Sequence, residues 1–85
     1  MAKMDVKEIE KILINEASII LALDIETVAA DVPLQDLGLD SLGFVELLVA
    51  IEKRFNLKLM ESGLTQEDFQ TINSLARRIS REGVE

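Results

Sequence analysis

Apolar residues recur at helical spacing near the front of the chain: Val6, Ile9, Leu13, Ala17 and Ile20 stand three or four apart, with Lys7, Glu8, Glu10, Lys11 and Glu16 between them. That period gathers them on one face and predicts a helix from about residue 5 to about residue 21, with Asp5 and Glu8 as a capping arrangement at its start. The periodicity breaks between Leu23 and Asp40, where Pro33 and Gly38 punctuate a long loop. Val28, Val32, Leu34 and Leu37 are placed to tack this loop onto a core, and its length suits a crossing from one end of a bundle to the other. A second helix is predicted from Ser41 to about Phe55, with Asp40 as its N-cap. Thr65-Gln66-Glu67-Asp68 reads as the capping box of a short helix, Leu57 and Leu59 bury the turn before it, and Thr71 caps a last helix through Ile72, Leu75, Ala76 and Ile79. The fold expected is all-α. One domain spans residues 1–85 as a small four-helix bundle, three longer helices and one short, with the long loop between helices one and two.

The second helix is apolar on more than one side. At about 100° per residue, Phe44, Leu47, Leu48, Ile51 and Phe55 share a stripe suited to a core. Leu42, Val45 and Val49, interleaved with Glu46 and Lys53, fall on nearly the opposite stripe. A monomeric bundle, the state expected here, has no structural need for that second row. Either the loop or the short helix covers it, or it is a docking surface for other proteins.

Composition removes most chemistry. The chain of 85 residues has no His and no Cys, so a serine nucleophile lacks its usual base and a zinc or thiolate site lacks its ligands. Hydrolysis, redox and metal chemistry by the chain alone are not expected. No apolar run has the length of a membrane span, the first residues lack the pattern of a signal peptide, and a cytoplasmic location is the expectation. Three Phe and neither Trp nor Tyr leave a core of Ile, Leu and Val. Such an interior either opens between helices to shelter an apolar chain or is simply a core. The net charge of −7 is uneven: residues 1–40 hold nine acids against three bases, the remainder seven against six. This balance disfavours nucleic acid and anionic membranes, and suits a partner with a basic docking face.

Ser41 is the residue with chemical promise. The first turn of a helix presents N–H groups without intrahelical partners and a partial positive charge, which together stabilise a phosphate ester placed there. Gly43, inside that turn, keeps the backbone approachable, and Asp40 offers a carboxylate that caps the helix or helps hold a divalent ion during phosphoryl transfer. On spacing alone, Asp40-Ser41 is equally an ordinary helix start.

The stretch Leu37-Gly38-Leu39-Asp40-Ser41-Leu42-Gly43-Phe44-Val45-Glu46-Leu47 resembles the attachment motif of the acyl carrier protein family, and the likeness extends from the first helix through Ile51-Glu52-Lys53-Arg54-Phe55 to Thr71-Ile72. The resemblance implies that Ser41 receives 4'-phosphopantetheine from coenzyme A, with Asp40 engaging the phosphopantetheinyl transferase and its magnesium. It also implies that Leu42, Val45, Glu46 and Val49 lie on a face read by acyl-loading and condensing enzymes, and helical spacing puts Lys53 on the same partner-binding row. The arm would supply the thiol that the chain lacks, on a tether that raises the effective concentration of an acyl group at each partner. The protein would hold acyl thioesters for fatty acid, polyketide or related synthesis and would make no bonds itself. Lys53-Arg54 after Glu52 departs from the acidic continuation usual in fatty acid synthesis and implies a specialised carrier. An aminoacyl or peptidyl carrier is the alternative within the class, from which the acidic front half leans away. A helical interaction module with Ser41 unmodified or phosphorylated is the alternative outside it.

Overall fold

The computed structural model describes residues 4–59, 63, 65 and 67–82. Helix α1 is Val6–Leu21, α2 is Ser41–Phe55 and α3 is Ile72–Arg81. The described residues contain no strand, and a 3-10 turn, Ile25–Thr27, follows α1.

Each helix starts on the residue expected of it. The Asp5 carboxylate accepts from the Glu8 N–H at 2.9 Å and the Asp40 carboxylate from the Gly43 N–H at 2.8 Å. Thr71 and Ser74 form a reciprocal box, with N–H to hydroxyl distances of 3.1 and 3.0 Å. Such caps satisfy donors that helix geometry leaves without partners. α1 and α2 end on residues in the left-handed region, Ala22 and Asn56. Asn tolerates that conformation; alanine there is strained.

The apolar stripes meet as their spacing predicts. Ile9, Leu13 and Ala17 of α1, Leu47, Ile51 and Phe55 of α2, and Ile72, Leu75, Ala76 and Ile79 of α3 are buried in one core with Val28, Leu34, Leu39 and Leu59. Val32, Leu37, Phe44, Leu48 and Leu57 are half-buried. α1 packs against both other helices, whereas no Cα of α2 comes within 8 Å of a Cα of α3. The long loop does not run from one end of the bundle to the other as expected: α2 starts beside the end of α1, where Ile20 and Leu21 line a depression with Leu39, Asp40 and Leu42, so the loop leaves and returns at one end. Phe44 of α2 and Phe69 of the segment before α3 meet edge to face, with ring centroids 5.1 Å apart.

Backbone bonds fasten the loop at points the apolar pattern does not reveal. The Leu34 N–H donates to the Gln70 carbonyl and the Asn73 N–H to the Ala30 carbonyl, both at 2.9 Å. Leu37 and Leu39 then both donate to the Leu34 carbonyl at 3.1 Å, and Gly38, at φ +101°, makes the turn that a side chain would strain.

The short helix expected from Thr65 falls partly outside the described residues. Its capping pair is present: the Thr65 N–H donates to Asp68 Oδ2 at 3.0 Å and the Asp68 N–H to Thr65 Oγ1 at 3.3 Å, and Glu67, Asp68 and Phe69 lie in a turn. Arg78 and Arg81 of α3 reach back to the same carboxylate, at 4.0 and 3.6 Å. The Thr65 N–H, the Thr65 hydroxyl and the two guanidinium groups together hold the Asp68 carboxyl below the usual carboxylate range, against the opposing pull of its partial burial.

A carboxyl that ionises more readily in the folded chain stabilises the fold while ionised. The contribution is complete above the unfolded-chain value and is lost as pH falls through the folded value. Asp68→Asn is therefore expected to lower the melting temperature at neutral pH and to converge on the wild type in acid. A series of thermal melts across that pH range checks this; a constant gap at all pH values would contradict it.

Candidate functional site

Leu39 and Asp40 end the long loop, Asp40 caps α2, and Ser41 is the first helical residue. Leu39 is buried while Asp40 and Ser41 are exposed, so the chain passes from core to solvent within one residue and displays the hydroxyl on the first turn. The Asp40 carboxylate takes the Gly43 N–H, and the Phe44 N–H donates to the Asp40 carbonyl at 2.9 Å. The N–H groups of Ser41 and Leu42 precede the first intrahelical bond. The positive end of α2 therefore surrounds the hydroxyl.

The second apolar row is uncovered. Leu42, Val45 and Val49 are 68%, 52% and 41% exposed, which removes the alternative that the loop or the segment before α3 covers them. Glu46 and Lys53 are exposed along the same face, and Arg54 is exposed beside it. Leucine and valine so placed forgo burial worth about 1.5–3 kcal/mol each when complete.

Two depressions flank the start of α2. One, of about 290 Å³, is lined by Pro33, Gln35, Phe44, Glu67, Phe69 and Gln70. The other, of about 270 Å³, lies where the end of α1 meets the start of α2, between Ile20 and Leu21 on one side and Leu42, Gly43 and Glu46 on the other. The spacing of apolar residues does not reveal either, because each depends on where the loop and α1 come to rest. Leu39 was also outside the expected loop anchors. Its signal is its place just before the N-cap, where an apolar residue commonly fixes the entry of the chain into a helix.

Ser41 has no base of the usual kind, since the chain has neither His nor Cys. Among the described residues no cluster of three His, Cys, Asp or Glu side chains is arranged to hold a metal, and no helix is long and apolar enough to cross a membrane. The site presents an exposed hydroxyl on a capped helix start, in a chain without imidazole or thiol.

Comparison with known proteins agrees. A family model described as "Phosphopantetheine attachment site" matches residues 11–79, and the chain belongs to this family of carrier proteins. It is 40% identical over 73 residues to the D-alanyl carrier protein of Streptococcus suis (strain 05ZYH33), covering 85% of this chain and 87% of that one. It is 34% identical over 62 residues to the acyl carrier protein of Onion yellows phytoplasma (strain OY-M), covering 72% of this chain and 79% of that one. Aminoacyl carrier protein 2 of Bradyrhizobium diazoefficiens is 39% identical over 46 residues; the match takes in 54% of this chain and spans about half of that protein, 52%. In structure the chain resembles the HMG-ACPI domain from the CurA module of Lyngbya majuscula, solved by NMR, with a TM-score of 0.83 and 28% identity over 98% of this chain and 82% of that one.

Members of the family are carriers without catalytic activity of their own and bear 4'-phosphopantetheine covalently. The donor set here fits such a group: an exposed hydroxyl on a first turn whose N–H groups favour a phosphate. When bound, the arm supplies a thiol, which this cysteine-free chain lacks.

The cap is separable from the hydroxyl. Asp40→Ala is expected to destabilise the fold by about 1 kcal/mol, the usual worth of an N-cap carboxylate. Urea unfolding should show a lower midpoint at unchanged slope; an unchanged midpoint would mean that the Gly43 N–H finds another acceptor.

Proposed function

We propose that Ser41 is the attachment point of 4'-phosphopantetheine and that the protein holds acyl groups as thioesters on that arm, presenting them to the enzymes of a dedicated pathway in the cytoplasm. The observation that carries this reading is the exposed Ser41 hydroxyl at the Asp40-capped start of α2, in a chain that belongs to a phosphopantetheine carrier family. Attachment forms a bond between Ser41 Oγ and the phosphorus of coenzyme A that bears pantetheine. It breaks the bond from that phosphorus to adenosine 3',5'-bisphosphate, and the serine proton passes to a base of the transferase. This chain contributes the hydroxyl, the helix end that favours the phosphate, and Asp40, which faces the transferase and its magnesium. Leu42, Val45, Glu46, Val49 and Lys53 form the docking row for the transferase and for acyl-loading and condensing enzymes. The Thr65 and Asp68 caps support reading the segment before α3 as the short helix of a four-helix bundle.

Fatty acid, polyketide and related synthesis are the pathways such a carrier serves. An aminoacyl cargo is the second reading. It is favoured by the similarity to a D-alanyl carrier protein over most of both chains.

Intact-mass measurement after incubation with coenzyme A, magnesium and a broad-specificity phosphopantetheinyl transferase tests the attachment. The wild type should gain one phosphopantetheine and Ser41→Ala none. A folded wild type that gains nothing would leave Ser41 a helix start and bring forward the interaction-module reading. For the docking row, Val45→Asp should raise KM for the transferase at least severalfold without loss of folding, because it places a charge in an apolar contact. Unchanged kinetics would move the docking face elsewhere.

A further inference from the structure

Nothing in the backbone at Gly43 asks for glycine. Its φ is not in the left-handed region, unlike that of Gly38 or Gly63, and glycine is a poorer helix former than alanine. Space explains it. A Cβ at position 43 would lie 2.7 Å from Leu39 Cδ1, 3.4 Å from Leu39 Cγ and 3.2 Å from Asp40 Oδ1. Carbon atoms prefer roughly 3.5–4.0 Å, so the first of these separations requires something to move. Leu39 is poorly placed to yield: its side chain is 4% exposed within the core and its N–H is bonded to the Leu34 carbonyl. The Asp40 carboxylate retreats only by stretching its 2.8 Å bond to the Gly43 N–H. These two residues immediately precede Ser41. Overlap that the buried Leu39 side chain does not take up by rotation therefore shifts the peptide that carries the hydroxyl.

We propose that Gly43 is a positioning residue for transfer of the arm. Its missing side chain lets Leu39 and Asp40 close on the first turn of α2, and that closure holds Ser41 in the orientation that a transferase requires. The proposal rests on Ser41 as the attachment point. Gly43 makes no bond in the reaction and acts through Leu39 and Asp40. The exposed row that begins at Leu42 stays on its helix face, so the effect falls on kcat rather than on KM.

The test is steady-state arm transfer from coenzyme A by a broad-specificity phosphopantetheinyl transferase, with melting temperatures measured alongside. The proteins are the wild type, Gly43→Ala, Leu39→Val, the double variant, Ile79→Val as a core-weakened control, and Ser41→Ala. Gly43→Ala is expected to cut kcat roughly tenfold at nearly unchanged KM, the scale of a displacement of less than about 1 Å at a reacting atom. In the Leu39→Val background, where the Cδ1 that a Cβ would strike is gone, the same alanine should cost less than about twofold. Ile79→Val should keep the wild-type kcat.

A Gly43→Ala protein with wild-type kcat overturns the proposal. So does an equal loss in both Leu39 backgrounds, a loss that Ile79→Val shares at the same melting temperature, or a Gly43→Ala chain that does not fold, which would make the glycine purely structural. A wild type that gains no arm, or a Ser41→Ala protein that still gains one, refutes the Ser41 assignment and the proposal with it. Failure confined to the Gly43 comparisons leaves the assignment standing.

Discussion

The closure of Leu39 and Asp40 on Gly43 is the constraint around which the functional end of the molecule is arranged. The long loop must finish in the core, because Leu39 is buried there, and α2 must begin in solvent, because Ser41 is exposed. One carboxylate bridges the two requirements by accepting the Gly43 N–H, and the absence of a side chain at Gly43 lets the loop approach closely enough. Were the loop to end further out, Leu39 would leave the core and the cap would open. Were it to end further in, the hydroxyl would be buried. The geometry of the site is thus a consequence of burying one leucine and pairing one amide.

The rest of the fold secures that loop. α1 packs closely on both partner helices, while the backbones of α2 and α3 stay more than 8 Å apart and share only the core between them. Backbone bonds from Leu34 to Gln70 and from Asn73 to Ala30 tie the loop and the segment before α3 together, and the Phe44–Phe69 contact joins them to α2. Asp68 closes the other side, drawing Arg78 and Arg81 of α3 back onto the turn. A displacement at the start of α3 therefore has a short path to the loop that positions Ser41.

The helices were legible because their signals are local. Asp5, Asp40 and Thr71 cap where a short polar side chain precedes an apolar period, and Ile9, Leu13 and Ala17 or Ile72, Leu75 and Ile79 are buried because helical spacing leaves them on one face. Val28 and Leu34 were readable as loop anchors because they are large apolar residues in a long segment without helical periodicity. What was not readable depends on residues brought together from a distance. Arg78 and Arg81 look from their position like counter-charges for the end of α3, and their reach to Asp68 appears only once that turn is folded against the helix. Gly43 looks like a tolerated glycine in a first turn, and its reason lies in where the Leu39 side chain comes to rest. At the site, the place of Ser41 and Asp40 at the head of α2 and the apolar row beyond them were visible in the sequence; the packing that holds them was not.

The two faces of α2 bear on the proposed carrier role in different ways. Leu47, Ile51 and Phe55 anchor the helix in the core, so its orientation does not depend on what binds outside. The opposite row begins beside Ser41 and remains in water, at a cost that folding does not recover. A surface that is apolar without being needed for the fold can be covered and uncovered repeatedly while the bundle stays intact. That is the property required of a carrier passed among several enzymes: each contact must hold long enough for transfer and then release. A small row flanked by charges, Glu46 and Lys53 on the same face, favours brief contacts whose selectivity comes from electrostatics and whose strength stays modest. The hydroxyl and the row lie on one helix, so with the proposed attachment at Ser41 a partner docked on the row would meet the arm at a fixed distance, and the reach left to vary would be that of the tether itself.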